Sequence, residues 1–308
     1  MRKYLLLTAL LFFGCSFFRA VEKPTNQVTD HLKYDVTTEL WKAYWIGHAT
    51  VLIRIHDKWI LTDPVFEERV GFLVKRIVAP GISGDKLPPV SVTVVSHLHF
   101  DHFDFRSLKQ INSSAGLAIP TGLVPHLPRM QFKEIFPMKN WQVKKYDDII
   151  ITRVPARHFG GRFGFDVLWD HDTYAGWVIE YRGVTVYFAG DTGRDEQIYK
   201  KIGEQFNIDL ALVPMGPYGG PKAKLLEDAA RSVHLDPEGA MLAFKDLKAK
   251  VMVPIHHSTF YRRKGSEIFY IKKAIKESGR EKDVYLLDIG QSITSKNGKI
   301  EVGGISDL

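Results

Sequence analysis

The segment Ser96-His97-Leu98-His99-Phe100-Asp101-His102 gathers three histidines and a carboxylate into one short turn, in a chain with 12 histidines among 308 residues. Imidazole and carboxylate groups suit zinc and similar divalent ions. The apolar run from Val90 to Ser96 just before them predicts a strand buried on both faces. A sharp turn after such a rigid element aims alternate side chains at one point. His97 and His99 are then expected to face one cation, and Asp101 and His102 a second about 4 Å away. Such a pair shares a water whose pKa falls to about 7, ready to attack phosphorus or a carbonyl carbon. The cations also neutralise charge that develops on the non-bridging oxygens. The plain alternative is a polar loop at a strand end.

Two cations need further ligands, expected from the ends of other strands. His158 follows an expected strand Ile149 to Pro155, Asp191 follows Val184 to Ala189, and His256 follows Val251 to Pro254. Alone, these read as a loop histidine, a helix N-cap and a buried structural histidine. Together, each at the end of an apolar run, they predict an open active-site edge. Asp101 or Asp191 is expected to hold the attacking water in line. His48 lies in a turn between strands, where a structural hydrogen bond is as good a reading as a role beside the site.

Positioning these groups falls to short strands rich in β-branched and aromatic residues. Trp41 to Ile46, Ala49 to Ile55 and Trp59 to Thr62 are broken by Gly47-His48 and Asp57-Lys58, and Ile208 to Val213 adds another. Helical periodicity predicts Pro237 to Lys248, behind Asp236 as N-cap, and Ser266 to Glu277, ending before Gly279. Shorter helices are expected at Phe105–Ile111 and Asp195–Phe206. Strands first, then strands mixed with helices, indicate a layered α/β protein with helices over paired sheets. Two stretches beside the site, Pro64 to Val90 and Phe159 to Trp169, read either as lids or as core packing.

Hydrophobic residues make up 45% of the chain, enough for one sizeable globular domain. Cys15 is the only cysteine, which excludes disulfides and cysteine-ligated zinc. Arg2 and Lys3, the apolar stretch Tyr4 to Phe13, then Gly14-Cys15, follow the pattern of an export signal with a lipid-carrying cysteine. Residues 1–20 are therefore expected as a lipoprotein-type signal with a Cys15 anchor, 21–36 as a tether and 37–308 as the catalytic domain. That predicts an exported protein anchored in a bacterial cell envelope. A buried first helix with a free thiol is the alternative. The net charge of +7 suits an anionic membrane surface but equally simple solubility. Its basic residues are scattered without interleaved aromatics, which argues against nucleic acid. Arg262, Arg263 and Lys264 would attract a phosphate or merely be solvated. Oligomeric state leaves no trace in the sequence.

The order Asp63, His97-x-His99-x-Asp101-His102, His158, Asp191, His256 resembles the motif series of the metallo-β-lactamase superfamily. Four stretches resemble more narrowly its N-acylphosphatidylethanolamine phospholipase D family: Trp45-Ile46-Gly47-His48-Ala49-Thr50, Phe188-Ala189-Gly190-Asp191-Thr192-Gly193, His234-Leu235-Asp236-Pro237 and Ile255-His256-His257-Ser258-Thr259-Phe260. The likeness runs from about Trp41 to Leu287. It departs at His257-Ser258, where that family usually carries Trp-Gly.

The resemblance implies a four-layer αββα sandwich with the site along one edge of the paired sheets. It implies two Zn²⁺ ions, with Mn²⁺ or Fe²⁺ as other candidates. His97, His99 and His158 would hold one ion, Asp101, His102 and His256 the other, with Asp191 bridging. Asp63 would orient a ligand histidine from outside, with His48 nearby, and His234 would face substrate beside Asp101 and Asp191 as a catalytic candidate. The implied activity is phosphodiester hydrolysis on a phospholipid head group. A lactonase or other ester or amide hydrolase on the same scaffold, and a non-catalytic metal-binding envelope lipoprotein, are the competing readings.

Overall fold

Alternating apolar residues in the early strands face two different cores. On β1 (Glu39–Gly47), Trp41, Ala43 and Trp45 point to one, and Tyr44 and Ile46 to another. On β2 (Thr50–Ile55), Val51, Ile53 and Ile55 join the first and Leu52 the second. A strand that is apolar on both faces must be covered on both, so the sheet sits inside a layered stack. A computed structural model shows this arrangement for residues 20–29, 37–71, 74–162, 172–216, 233–260 and 267–303.

The further strands are β3 (Lys58–Thr62), β4 (Arg69–Val70), β5 (Val74–Lys75), β6 (Val92–Val94), β7 (Gly116–Pro120), β8 (Glu134–Met138), β9 (Val143–Tyr146), β10 (Ile149–Val154), β11 (Gly176–Tyr181), β12 (Val184–Phe188), β13 (Leu210–Pro214), β14 (Val251–Ile255), β15 (Ser292–Lys296) and β16 (Lys299–Gly303). They form an eight-stranded sheet, β16-β15-β1-β2-β3-β6-β7-β8, and a six-stranded sheet, β14-β13-β12-β11-β10-β9; β4 and β5 make a small hairpin. The inner core lies between the two large sheets. It takes Trp177 and Ile179 from β11 and Leu210 and Leu212 from β13.

The alternate residues Ala211 and Val213 turn outward, under helices α2 (Glu196–Gln205), α3 (Pro237–Leu247) and α4 (Glu267–Glu277). Asp236 caps α3 by accepting from the Gly239 amide at 2.7 Å, and Asp195 caps α2 from Ile198 at 3.1 Å. The opposite outer layer is thinner: among the described residues one turn of α-helix, α1 (Phe105–Leu108), a short 3-10 helix at Thr121–His126 and loops cover the eight-stranded sheet. The architecture is the expected αββα sandwich with unequal outer layers.

Three local expectations change. The strand foreseen over Val90 to Ser96 is shorter, Val92–Val94, and at its end the Ser96 amide leaves the sheet to donate to Asp63 Oδ1 at 2.6 Å. The helix foreseen over Phe105–Ile111 stops after one turn. Residues 21–29, expected within the tether, lie against the domain: the Glu22 amide donates to Ile77 O and the Val28 amide to Gly81 O, and Val28 is buried. These bonds and one buried valine suffice to dock an otherwise polar stretch. Much of Pro64 to Val90 is packed, with Val65, Val70, Ile77 and Val78 buried. Cys15, Arg262, Arg263, Lys264, Phe163, Phe165 and Trp169 lie outside the described residues. Among the described residues no helix is long and apolar enough to cross a membrane.

Candidate metal centre

Topology alone brings the candidate ligands together. β1 and β3 run the same way because β2 is antiparallel to both, and β6 is parallel to β3. In the other sheet β10, β12 and β14 likewise share one direction. The C-terminal ends of six strands therefore open onto one edge. They are followed by His48, Asp63, the His97–His102 turn, His158, Asp191 and His256.

The backbone there adopts conformations that side chains seldom tolerate. His48 (φ 57°), Asp63 (φ 32°), His256 (φ 65°) and Ser258 (φ 55°) all have positive φ without being glycine. Such strain persists where the surroundings over-determine it, typically at functional sites. Gly190 serves the opposite purpose. A Cβ there would lie 2.4 Å from Ser96 Cβ, so only glycine lets the Asp191 loop approach the turn that carries His97.

Four candidate ligand histidines have a fixed tautomer. His102 Nδ1 donates to Asp63 Oδ2 at 2.6 Å, His158 Nδ1 to Val233 O at 2.9 Å and His256 Nδ1 to Gly216 O at 3.0 Å. Ser96 Oγ gives its proton to Asp63 Oδ2 at 2.5 Å and so accepts from His97 Nδ1 at 2.9 Å. With each Nδ1 carrying the hydrogen, each Nε2 lone pair is free to face inward, the usual preparation of a metal-binding imidazole. His97 Nε2 and His158 Nε2 lie 2.8 and 3.3 Å from His99 Nδ1, and His102 Nε2 lies 3.3 Å from His256 Nε2. One hydrogen on His99 cannot serve both of its neighbours.

The rings of His97, His99 and His158 stand nearly perpendicular to one another, at 78° to 79°, with centroids 4.5 to 5.0 Å apart. That is the disposition of three ligands around one ion. A second group joins His48, Asp101, His102 and His256, and a third joins His158, Asp191 and His234; within each, ligand atoms lie within 4.8 Å of one another. Asp191 stands between the sets. Its Oδ2 is 3.0 Å from His256 Nε2 and 3.4 Å from His102 Nε2, while its buried Oδ1 has no hydrogen-bond partner.

The electrostatics ask for positive charge. Burial disfavours an imidazolium at His102, yet Asp191 and Asp101 outweigh it and raise its pKa well above the usual value. Burial would likewise push Asp191 up, but His256 and His102 hold it well below the ordinary carboxylate range. The carboxylates of Asp191 and Asp101 thus concentrate negative charge where divalent ions would satisfy it. Burial and the neighbouring imidazoles keep His97 neutral, its pKa well below the usual value. Burial brings His158 down to about 3. The donor set, nitrogen and oxygen with one orphaned carboxylate oxygen, fits two ions of the zinc type.

The outer residues fall into place. His48 is neutral, its pKa lowered by burial to about 3, so its Nε2–H donates to Asp101 Oδ2 at 3.0 Å. Its backbone is fixed at both ends: the amide donates to Thr259 Oγ1 at 2.6 Å, and the carbonyl accepts from the His256 amide at 3.0 Å. His234 stands at the mouth with Nδ1 3.8 Å from Asp191 Oδ2. His257, the neighbour of the ligand candidate, packs instead on Trp45 with ring centroids 4.5 Å apart. Sequence reading missed the roles of Ser96, Thr259 and the carbonyls of Gly216 and Val233. Ser96 alone had a signal, its place directly beside His97.

Asp63 is the hub of this outer layer. It is fully buried and accepts from the Ser96 amide, Ser96 Oγ and His102 Nδ1. Asp63→Ala would strand three donors and is expected to destabilise the protein by about 3–5 kcal/mol. Urea unfolding of the zinc-loaded protein checks this, and a change under 1 kcal/mol (of order one ordinary hydrogen bond) would contradict it.

Residues 58–257 match the family described as the Beta-lactamase superfamily domain. The chain belongs to the metallo-β-lactamase superfamily of metal-dependent hydrolases. Within that superfamily it is 32% identical over 235 residues to N-acyl-phosphatidylethanolamine-hydrolyzing phospholipase D 1 of Caenorhabditis elegans, covering 71% of this chain and 64% of that protein. The chain thus spans less than two thirds of that relative's length. It is 29% identical to a UPF0173 metal-dependent hydrolase of Metallosphaera sedula, over 81% of this chain and 97% of that one. Among solved structures, isothiocyanate hydrolase from Delia radicum gut bacteria shares the fold: TM-score 0.65 at 20% identity, covering 82% of this chain and 98% of that one.

Proposed function

We propose that the protein is a binuclear zinc phosphodiesterase that cleaves the head-group phosphodiester of a phospholipid of the N-acylphosphatidylethanolamine type. The observation that carries this reading is the convergence of two complete ligand sets on Asp191, in a chain similar to a phospholipase D acting on such lipids. Two bound divalent ions supply Lewis acidity toward a phosphoryl oxygen and make a water nucleophilic near neutral pH.

The chain's own groups do the rest. Asp101 and Asp191 stay ionised beside the reacting centre, and His48 fixes which oxygen of Asp101 turns inward. Neutral His234, at the mouth and only partly buried, is placed to hydrogen-bond a phosphoryl oxygen or the leaving group. Phe159 is 40% exposed with its ring 4.9 Å from that of His99, an apolar surface beside the mouth that suits a lipid chain. The Gly14-Cys15 pattern supports placing the enzyme at a membrane surface by a lipid anchor in a bacterial cell envelope, where such a substrate would be met.

The test is hydrolysis by the zinc-loaded protein of bis(p-nitrophenyl) phosphate, a lactone and a β-lactam, with mass spectrometry of products from mixed phospholipids. Cleavage of the phosphodiester and release of lipid head groups support the reading. Turnover of the lactone alone would assign a lactonase. Two bound zinc ions with no turnover of any substrate would leave a metal-binding lipoprotein. His234→Ala is expected to lower kcat about 100-fold, the scale of a positioned proton donor or acceptor, while zinc content by elemental analysis stays at the parent value. Parent-like kcat would take His234 out of the reaction.

A further inference from the structure

The metal-binding turn is gripped from outside by one side chain with no role so far. Arg162 stands four residues beyond His158, on the segment that follows β10. Its guanidinium Nη1 donates to Leu98 O at 3.1 Å and to Phe103 O at 2.9 Å. Those two carbonyls bracket His99, Phe100, Asp101 and His102. The guanidinium also lies 4.3 Å from the ring centroid of Phe100, 4.2 Å from that of Phe105 and 5.7 Å from that of Phe103. It is therefore stacked against aromatic faces as well as hydrogen-bonded at its edge, a combination that the planar arginine side chain provides.

We propose that Arg162 is a positioning residue for the metal centre: it sets the curvature of the 98–103 turn and locks that turn to the loop that supplies His158. The turn contributes His99 to one ion set and Asp101 and His102 to the other, while His158 comes from Arg162's own loop. One guanidinium thereby fixes the relative placement of ligands from two sheets. The carbonyls it holds belong to the residues on either side of the ligand run, so releasing them lets the run change its pitch without unfolding the strands behind it. The inference rests on the two-ion reading of the centre and is independent of the substrate.

The test compares Arg162→Ala, Arg162→Lys and Arg162→Gln with the parent. It measures zinc dissociation constants by competition with a chromophoric chelator, and melting temperatures with and without zinc. Arg162→Ala is expected to weaken zinc binding at least about tenfold, as loss of an outer partner of metal ligands does. Arg162→Lys keeps the charge but not the planar group that stacks on Phe100 and Phe105, and is expected to fall within about threefold of the alanine variant. Guanidinium chloride at low concentration should restore part of the affinity of Arg162→Ala and none of that of Arg162→Lys. The rise in melting temperature on adding zinc should shrink in the variants, because weaker binding means weaker linkage. Zinc affinity within about twofold of the parent in all three variants would overturn the proposal. So would an equal loss of melting temperature in the zinc-free and zinc-loaded forms, since that marks a fold contribution unrelated to metal. If Arg162→Ala does not fold, the lysine and glutamine variants decide by the same two criteria. These readouts use no substrate, so a wrong substrate assignment and a wrong role for Arg162 give different results.

Discussion

Asp191→Asn is expected to reduce kcat/KM toward bis(p-nitrophenyl) phosphate by about 10³-fold or more, which is about 4 kcal/mol of transition-state stabilisation. The substitution keeps the shape of the side chain and removes its charge. Asp191 has one oxygen close to His256 and His102 of one set and a ligand atom within 4.8 Å of that of His158 in the other, so it is the group that both ligand sets share. A neutral amide in that position would leave both ions underneutralised and would turn an N–H donor toward one of them. Elemental analysis should show less than two zinc ions per chain, and steady-state kinetics should show the loss in kcat as well as in kcat/KM. Activity within about tenfold of the parent, one factor of 1.4 kcal/mol, would remove Asp191 from the centre.

Stripping the metal is expected to lower the melting temperature by about 10 °C or more, with recovery on adding zinc back. A ligand present at 1,000 times its dissociation constant stabilises a fold by about 4 kcal/mol, and in a domain of this size each kcal/mol moves the midpoint by about 2–4 °C. The inward-facing imidazole nitrogens of His102 and His256, 3.3 Å apart, and Asp191 Oδ1, which has no hydrogen-bond partner, are groups that a bound ion would satisfy. Calorimetry before and after dialysis against a chelator checks this. A midpoint unchanged within about 2 °C, less than 1 kcal/mol, would mean that no ion is held by this cluster.

Much of the fold was legible because its strands are short, apolar and interrupted by turn residues. Helices α2 and α3 were found to within a residue or two because Asp195 and Asp236 mark their starts. The candidate ligands were legible for a related reason: each follows an apolar run, and parallel or twice-reversed strands bring such ends to one edge.

What escaped has physical causes. β9 (Val143–Tyr146) is an edge strand reading Val-Lys-Lys-Tyr, without the alternation that marks a half-buried strand. β16 (Lys299–Gly303), the edge strand of the other sheet, alternates over only two apolar residues, Ile300 and Val302, too short a run to signal a strand. β8 carries Pro137, which an edge strand tolerates but which argues against a strand when read in sequence. The acceptors that set the tautomers of His158 and His256 are main-chain carbonyls, and any residue supplies one. Arg162 left no sign because its partners are carbonyls and rings gathered by the turn itself.

One carboxylate, that of Asp63, holds His102 directly and His97 by way of the Ser96 hydroxyl, and these two imidazoles belong to different ion sets. A change at Asp63 would therefore be felt at once by histidines of both candidate ligand sets, from the side of each ring that faces away from the centre.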